Sequence, residues 1–198
     1  MSRKKVYEQY EKIVDWFDTH RNKDLFEKPY FDFIVNTVPP GGEILDLGCG
    51  TGEPIAKFFI EKGFKITGVD GSHKMIELCK KRFPSQTWLI EDMQEINLAK
   101  QFDAILAWHS FFHLDHDAQR NMFKLFNRHL KSKGVLAFTS GPEHDECWSD
   151  NGGEELFHAS LSPQEYEALL KQNTFEVLIH KVRDPECGSA TIWVAQKI

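Results

Sequence analysis

Apolar residues recur with a helical period over residues 6–36, and short apolar runs separated by helical segments then follow. We predict two amphipathic helices in the first region, with a break near residues 19–22 and an end at the Pro- and Gly-rich residues 39–42. The later pattern predicts strands over residues 43–47, 64–69, 87–90, 102–108 and 134–139, and helices over residues 53–62, 72–83 and 115–130. This alternation is typical of a parallel sheet covered by helices on both faces.

The last third of the chain has a different pattern. Residues 140–159 are mostly polar and contain several glycines and a proline, so we interpret them as a long loop. A helix is predicted to begin at Ser162, a residue type that commonly caps helices. Residues 175–182 and 190–196 predict two strands joined by a turn around residues 184–188, an antiparallel hairpin that closes the sheet edge.

Composition and charge narrow the classes of partner. The chain has 24 basic and 30 acidic residues, for a net charge of −6. The basic run Lys80–Arg82 falls late in a predicted helix, where it complements the helix dipole as a solvated face, so we expect no nucleic-acid partner. No apolar segment approaches the length of a membrane span, and residues 1–8 lack the apolar stretch of a signal peptide. The four cysteines form no CxxC pair, so we expect a reducing, cytoplasmic location and no structural zinc site.

The strongest chemical signal is the sequence Asp-Leu-Gly-Cys-Gly-Thr-Gly, which begins at Asp46 and ends at Gly52. Glycines here let the backbone turn sharply and let a ligand approach the main chain. Dinucleotide-binding enzymes also use such loops, but the third glycine of their motif would fall at Glu53. A carboxylate there would repel a pyrophosphate. S-adenosylmethionine has no phosphate and carries a positive sulfonium, so the acidic loop favours it.

Acidic residues also follow the second and third predicted strands. Asp70 ends the second strand, where a carboxylate can accept both hydroxyls of a ribose. Asp92 follows the third strand and could accept a hydrogen bond from an adenine amino group, while Met93 could pack on the ring. Single acidic residues at strand ends are often solvated caps. Their position at consecutive strand ends beside a glycine loop points to one ligand crevice.

These residues resemble the motifs of class I S-adenosylmethionine-dependent methyltransferases of the small-molecule, type 11-like group. The family pattern acidic-x-G-x-G-x-G matches residues 46–52, and its V-D-x-S-x-x-M motif matches residues 69–75. Residues 102–105 with 112–114 resemble its fourth-strand motif, and residues 131–136 stand where the family has L-K-P-G-G, with Ser and Lys replacing Pro and Gly. The match extends over residues 40–139.

The resemblance implies a Rossmann-like α/β fold. Its sheet has seven strands in the order 3-2-1-4-5-7-6 with strand 7 antiparallel. We expect a single methyltransferase domain over residues 1–198: a helical lid (1–39), a cofactor-binding half (40–139) and an acceptor-shaping loop, helix and closing hairpin (140–198). The residues expected to bind the cofactor are Arg21, Asp46, Gly48, Cys49, Gly50, Gly52, Asp70, Gly71, Met75, Asp92, Met93 and Trp108. Arg21 could pair with the methionine carboxylate or form a surface ion pair.

Methyl transfer is an in-line displacement that needs a base only when the acceptor loses a proton. His109, after the fourth strand, is the candidate base, although an isolated histidine is more often a hydrogen-bonded scaffold group. The residues that we expect to shape the acceptor site are His113, Trp148, Glu154 and His158. The spacing of His144, Cys147 and His158 is too irregular for a metal site, and we predict none.

The sequence therefore predicts an enzyme that transfers a methyl group from S-adenosylmethionine to a small molecule and releases S-adenosylhomocysteine. The alternative is a non-catalytic protein of the same fold that binds S-adenosylmethionine, and a dinucleotide oxidoreductase is a third reading. Trp108-His109-Ser110-Phe111 stands where methyltransferases of adenine or glutamine amides have an N/D-P-P-Y/F/W run.

Overall fold

The computed structural model describes residues 5–198, so the predictions for residues 1–4 lie outside the described part. Its helices are α1 (Val6–His20), α2 (Lys28–Thr37), α3 (Ile55–Glu61), α4 (His73–Arg82), α5 (His116–His129) and α6 (Pro163–Gln172). Its strands are β1 (Glu43–Leu47), β2 (Lys65–Asp70), β3 (Thr87–Ile90), β4 (Phe102–Ala107), β5 (Leu130–Ser140), β6 (Asp145–Asn151), β7 (Glu154–Ser160), β8 (Phe175–Asp184) and β9 (Ala190–Lys197). Short 3-10 turns lie at Phe111–His113 and Pro185–Cys187.

Seven strands form one sheet in the order β3-β2-β1-β4-β5-β9-β8. Strands β1 to β5 are parallel, whereas β9 runs antiparallel to both β5 and β8. Counted within this sheet alone, the order is 3-2-1-4-5-7-6 with strand 7 antiparallel. The predicted fold is confirmed.

The alternation of side chains along β4 shows why every residue of this central strand except Asp103 is apolar. Ala104 and Leu106 point to a core built with α2, α3 and α4, while Ile105 and Ala107 point to a second core built with α5 and α6. All six residues of the strand are buried. A strand covered by helices on both faces must be apolar on both, as the near-continuous hydrophobic run indicated.

Side-chain caps begin three of the helices. The Ser72 hydroxyl accepts from the Met75 N–H at the start of α4, and the Asp115 carboxylate accepts from the Ala118 N–H at the start of α5. Ser162 does the same for α6, as its sequence predicted. Each cap satisfies an N–H that has no partner within its helix. The caps at α4 and α5 place both helix starts beside the carboxyl ends of the parallel strands.

The loop predicted over residues 140–159 is wrong. Its greater part is a hairpin, in which β6 pairs antiparallel with β7. Gly152 and Gly153 form the two-residue turn with φ values of 61° and 85°, a backbone region that glycine adopts without strain. The signal for a hairpin was this Gly-Gly pair between Asn151 and Glu154. The sequence did not otherwise indicate a hairpin because β6 is polar and exposed, and only β7 carries buried apolar residues.

The basic run at the end of α4 is also more than a solvated face. Lys80 and Lys81 are exposed as predicted. The Arg82 guanidinium instead makes two hydrogen bonds to the Asp18 carboxylate in α1, with N–O distances of 2.8 and 2.5 Å. It also donates to the Thr51 carbonyl at 3.3 Å. Arg82 therefore ties α1 to the glycine loop. Within residues 5–198, no helix combines the length and apolar character that crossing a membrane requires.

Candidate active site

A cavity opens at the carboxyl ends of β1, β2 and β4, the position where open α/β sheets bind ligands. We call its lower wall the floor, which consists of residues 46–50, 70–71 and 92–93. We call its upper wall the cover, which consists of α1 with Arg21 directly after it and the β6–β7 hairpin. The cover contributes Tyr10, Phe17, Arg21 and Phe157 to the cavity lining.

The glycine loop of the floor is shaped by close packing. Gly48 has φ of 75°, and a Cβ there would lie 2.3 Å from the Ser110 Cβ, so no larger residue fits. The N–H groups of Gly48 and Cys49 both donate to the Val69 carbonyl, which joins the loop to β2. Main-chain atoms of the loop consequently line the cavity, as the sequence predicted for a ligand that contacts the backbone.

Asp70 accepts the hydrogen bonds that hold the glycine loop in place. Its Oδ2 accepts from the Gly50 N–H at 3.0 Å, and its Oδ1 accepts from the Ser72 N–H at 2.9 Å. Burial raises the pKa of this carboxyl, although the two backbone donors oppose that effect. Asp70 therefore fixes the loop while it lines the cavity, where it remains able to accept further hydrogen bonds.

Two more floor carboxylates differ in their surroundings. Asp46 is 3% exposed, and burial raises its pKa to about 7. Asp92 receives a hydrogen bond from the Lys5 ammonium at 3.0 Å and from the Gln94 N–H at the same distance. The floor thus presents one carboxyl that is close to half ionised at neutral pH and another that is paired with a lysine.

The remaining predicted cofactor residues divide into two groups. Cys49, Gly71, Met75 and Met93 line the cavity with the floor carboxylates. Gly52 does not, because it faces α4, where a Cβ would lie 3.1 Å from the Phe83 ring and 3.3 Å from the Cys79 sulfur. A glycine is needed at position 52 because the loop packs closely against α4 there.

Arg21 brings a positive charge to the cavity. Its Nε is buried and has no hydrogen-bond partner among residues 5–198, and its guanidinium lies 5.3 Å from the centroid of the Phe17 ring. Burial lowers its pKa, while Glu27, Tyr10 and Asp46 act electrostatically in the opposite direction. Within the described part of the chain no carboxylate lies within ion-pair distance, so the surface ion pair considered as an alternative is not formed. A buried donor of this kind is costly unless a ligand pairs with it.

His113 joins the two parts of the cover. Its Nδ1 lies 2.7 Å from the Phe157 carbonyl, which can only accept, so Nδ1 carries the proton. Nε2 therefore accepts from the Tyr10 hydroxyl at 3.1 Å. Burial lowers the pKa of His113 to about 3 and raises that of Tyr10 to about 12, so both are neutral near pH 7. The Tyr10 oxygen is left with lone pairs for a ligand in the cavity that both residues line.

His109 and Trp108 also line the cavity, directly after β4. The Trp108 ring is 2% exposed and packs edge-on against Phe31 at 4.9 Å between centroids, so it is largely a core residue. Its indole Nε1 is buried without a partner in the described part of the chain. The Nε2 of His109 lies 3.3 Å from an oxygen of Glu27, a residue that the sequence did not single out.

The hairpin residues predicted to shape an acceptor site are not in the lining of this cavity. Trp148 is 57% exposed on β6. Glu154 pairs with Lys12 at 2.7 Å, and His158 stacks on Phe112 with 5.0 Å between ring centroids. Phe157, which the sequence did not identify, lines the cavity instead. A correct assignment of β7 as a strand would have separated Phe157 from its neighbours, because successive residues of a strand point to opposite faces.

Glu53 is surrounded by cations. Its carboxylate lies 3.2 Å from the Lys23 ammonium, 3.4 Å from that of Lys57 and 3.7 Å from the Arg82 guanidinium. These partners lower its pKa against the opposing effect of burial. The repulsion of a pyrophosphate, which the sequence suggested, is therefore weaker than expected. Glu53 lines the cavity as a carboxylate whose charge these three cations offset.

Comparison with known proteins gives consistent results. Residues 44–134 match a family model described as a methyltransferase domain. The YqeM protein of Bacillus subtilis (strain 168), whose name assigns it to the methyltransferases, is 33% identical over 140 residues, which are 67% of this chain and 54% of that protein. The chain thus spans about half the length of this relative. A dTDP-3-amino-3,4,6-trideoxy-alpha-D-glucopyranose N,N-dimethyltransferase of Streptomyces venezuelae is 29% identical over 100 residues, covering 50% of this chain and 42% of that protein.

Solved structures share the fold at low identity. A methyltransferase dependent on S-adenosylmethionine from Clostridium acetobutylicum superposes with a TM-score of 0.75 at 17% identity, covering 96% of this chain and 99% of the other. The 1,6-didemethyltoxoflavin-N1-methyltransferase of Burkholderia thailandensis, solved with its substrate and S-adenosylhomocysteine, gives 0.75 at 18% identity and covers 97% and 87%. At such identities the likeness establishes the fold.

Proposed function

Because residues 44–134 belong to the methyltransferase-domain family and the described chain has the fold of enzymes dependent on S-adenosylmethionine, we propose that this protein transfers a methyl group from that cofactor to a small molecule. The bound cofactor lies in the cavity between the floor and the cover. The product that leaves with the methylated acceptor is S-adenosylhomocysteine.

The observation that carries this proposal is the buried, unpaired Arg21 nitrogen in the same cavity as the floor carboxylates. S-adenosylmethionine has a carboxylate for such a guanidinium and hydroxyls and amino groups for carboxylates. Arg21 would pair with its carboxylate, Asp70 would accept from the ribose and Asp92 from the adenine amino group. Asp46 would favour the positive end of the ligand. The donors and acceptors of the chain fit the cofactor.

The bound cofactor supplies an already activated methyl group, so the chain mainly has to orient the acceptor and exclude water. Holding the reactants in line supplies several kcal/mol of the barrier reduction. Phe17 and Phe157 of the cover exclude water from the cavity, and Tyr10 offers a hydrogen-bond acceptor there. His109 lines the same cavity and is the group that takes a proton from acceptors that must lose one.

A small acceptor agrees with the cavity, because residues of α1 and Phe157 of the hairpin line it opposite the floor. Relatives named above act on a deoxyamino sugar and on a toxoflavin precursor, which supports the same class here. We place the protein in the cytoplasm, supported by four cysteines that are all unpaired. The net charge of −6 supports the absence of a nucleic-acid partner.

Two measurements test the proposal in sequence. Calorimetric titration with S-adenosylmethionine should show one site per chain, with NAD giving no heat above dilution. A metabolite extract supplied with the methyl-labelled cofactor should then yield a labelled small molecule and S-adenosylhomocysteine. Cofactor binding without labelled product from any extract would favour the non-catalytic binding protein, and the absence of binding would overturn both readings.

A further inference from the structure

A buried carboxylate faces His109 from the turn before α2. Glu27 is 8% exposed, and its Oε1 lies 3.3 Å from the His109 Nε2. Its Oε2 is buried and has no hydrogen-bond partner among residues 5–198. Burial alone would raise the pKa of Glu27, but the His109 ring, a backbone N–H and the Arg21 charge together lower it. A buried carboxylate whose second oxygen has no hydrogen-bond partner is costly in a protein interior, which indicates a role beyond folding.

The backbone holds His109 independently of Glu27. His109 has φ of 50°, a left-handed conformation that few non-glycine residues adopt. Its N–H donates to the Thr139 hydroxyl at the end of β5, at 2.9 Å. Such conformations persist only where the surrounding structure fixes them, and they occur often at functional sites. The backbone of His109 is therefore fixed from β5, and its ring is oriented by Glu27.

The contact with Glu27 sets the tautomer of His109. An ionised carboxylate only accepts, so Nε2 carries the hydrogen that it donates to Oε1. Nδ1 is then left with the lone pair, and no described residue donates to it. The ring lines the cavity, so the arrangement is that of a histidine oriented by a carboxylate for proton transfer.

We propose that Glu27 is a positioning residue that prepares His109 Nδ1 to remove the proton of a hydroxyl or thiol acceptor. The inference rests on the methyl-transfer function proposed above. The O–H or S–H bond of the acceptor breaks and its proton goes to Nδ1. The oxygen or sulfur forms a bond to the methyl carbon while the cofactor's carbon–sulfur bond breaks. The imidazolium, stabilised by Glu27, later releases the proton to water.

This chemistry selects among acceptors. A neutral amine attacks through its own lone pair and needs no base at that step, whereas a neutral hydroxyl or thiol is a poor nucleophile until its proton leaves. A carboxylate–histidine pair is of most use to the second class. The Glu27–His109 pair therefore indicates that the acceptor carries an acidic hydroxyl or thiol.

Among the titratable groups near the Glu27–His109 pair, Glu27 carries the main negative charge. Arg21 faces Glu27 and carries a positive charge, and the Cys187 thiol faces it from the turn before β9. Burial raises the pKa of Cys187 to about 12, so this thiol is neutral. His113 faces His109 from the other side, and its pKa of about 3 keeps it neutral. The removal of the Glu27 charge should consequently be felt directly by the His109 ring.

Nitrogen-15 NMR of the full chain labelled in its imidazoles tests the arrangement without a known acceptor. The resonances that disappear in His109→Gln belong to His109. They should show the Nε2–H tautomer in the wild type, and the fraction of the Nδ1–H tautomer should rise in Glu27→Gln, because the glutamine amide can donate as well as accept. Glu186→Gln, which alters an exposed carboxylate, is the control and should leave the tautomer fractions unchanged. An Nδ1–H tautomer in the wild type, or equal tautomer fractions in wild type and Glu27→Gln, would overturn the inference.

Turnover provides the second readout. Catechol and thiophenol serve as hydroxyl and thiol probes, aniline as the amine probe, and S-adenosylhomocysteine is measured. Glu27→Gln should still bind S-adenosylmethionine but lose about tenfold to 100-fold in kcat on catechol or thiophenol when saturated with the cofactor. Turnover confined to aniline would overturn the assignment of acceptor class. A wild-type protein that fails to bind S-adenosylmethionine would refute the proposed function instead, so the two failures are distinguishable.

Discussion

The floor and the cover of the cavity are held in place by different kinds of interaction. The floor consists of strand ends and a glycine loop whose N–H groups are bound by the Val69 carbonyl and the Asp70 carboxylate. The cover is held by contacts between side chains of different elements. The Lys12–Glu154 ion pair joins its two parts, α1 and the hairpin, and the Arg82–Asp18 pair joins α1 to α4. The floor is thus fixed by backbone hydrogen bonds, whereas the cover is held by side-chain contacts, which include ion pairs, the His113 hydrogen bonds and buried apolar residues such as Val14 and Phe157.

This difference indicates that the floor and the cover have different functions. Hydrogen bonds to buried carboxylates are strong, so the floor can recognise the constant ligand, the cofactor. Of the two ion pairs named above, Lys12–Glu154 is the more exposed, and exposed ion pairs contribute little stability. The predictions below test whether the cofactor depends on the floor and on Arg21, and only slightly on the remaining contacts of the cover.

The largest effect is expected from Asp70→Ala. Loss of two charge-assisted hydrogen bonds to the ribose, and of the bonds that shape the loop, should weaken S-adenosylhomocysteine binding at least 100-fold, or about 3 kcal/mol. Asp103→Ala is a matched control, because Asp103 also accepts from a backbone N–H, that of Glu43, but at the opposite end of the sheet. It should lower the free energy of unfolding and leave the affinity unchanged. Equal affinities for Asp70→Ala and wild type in calorimetry would contradict the account of the floor.

Arg21→Gln should have the next largest effect, and it should depend on the ligand. S-adenosylhomocysteine should bind about 10- to 30-fold more weakly, because its carboxylate loses a charged partner. Methylthioadenosine, which lacks that carboxylate, should bind the variant and the wild type equally. Arg183→Gln, at an exposed arginine, is the control for both ligands. A similar loss with both ligands would mean that Arg21 supports the cover rather than binding the carboxylate.

We expect the binding of S-adenosylmethionine to be coupled to the ionisation of Asp46, with an effect of moderate size. Because burial raises its pKa to about 7, the group is about half protonated at pH 7 in the free protein. A positive ligand favours the ionised form, so binding of S-adenosylmethionine should release up to about half a proton at pH 7. Calorimetry in buffers with different ionisation enthalpies measures this number. Asp46→Asn should abolish the release, and persistence of the same release would assign it to another group.

The same raised pKa has a defined sign for stability. Between about pH 4 and pH 7 the folded state binds more protons at Asp46 than the unfolded state does. The contribution of this group to the free energy of unfolding therefore decreases as the pH rises through that window. Comparison of urea unfolding curves for wild type and Asp46→Asn isolates the contribution, which should be absent in the variant.

The smallest effect is expected from Lys12→Met. This substitution removes the exposed ion pair with Glu154, which should change stability by less than about 1 kcal/mol. Affinity for S-adenosylhomocysteine should change less than about threefold. A loss as large as that of Arg21→Gln, measured in the same calorimeter, would show that this exposed contact of the cover also controls the cofactor.

The sequence predicted the floor far better than the cover. Asp46, Gly48, Asp70 and Asp92 could be found because each lies at the end of a local apolar run, and parallel strands bring their carboxyl ends to one edge. The contacts of the cover join residues far apart in the chain. Neither Arg82–Asp18 nor His113–Tyr10 follows from any local pattern, because helix and strand periods do not specify which side chains meet across elements.

Two further misses have different origins. Phe157 could have been placed if the Gly-Gly turn had been recognised, since the alternation along β7 would then separate it from His158. Glu27 gave no comparable signal. It stands in a turn, and only the tertiary packing of α2 against the end of β4 brings it to His109.

A crystal structure with S-adenosylhomocysteine tests the central claim most directly. The account predicts the ribose hydroxyls within hydrogen-bond distance of Asp70, the amino-acid carboxylate at Arg21 and main-chain atoms of the glycine loop against the ligand. Density for the ligand outside this cavity, or within it but with Asp70 and Arg21 both uncontacted, would contradict the account.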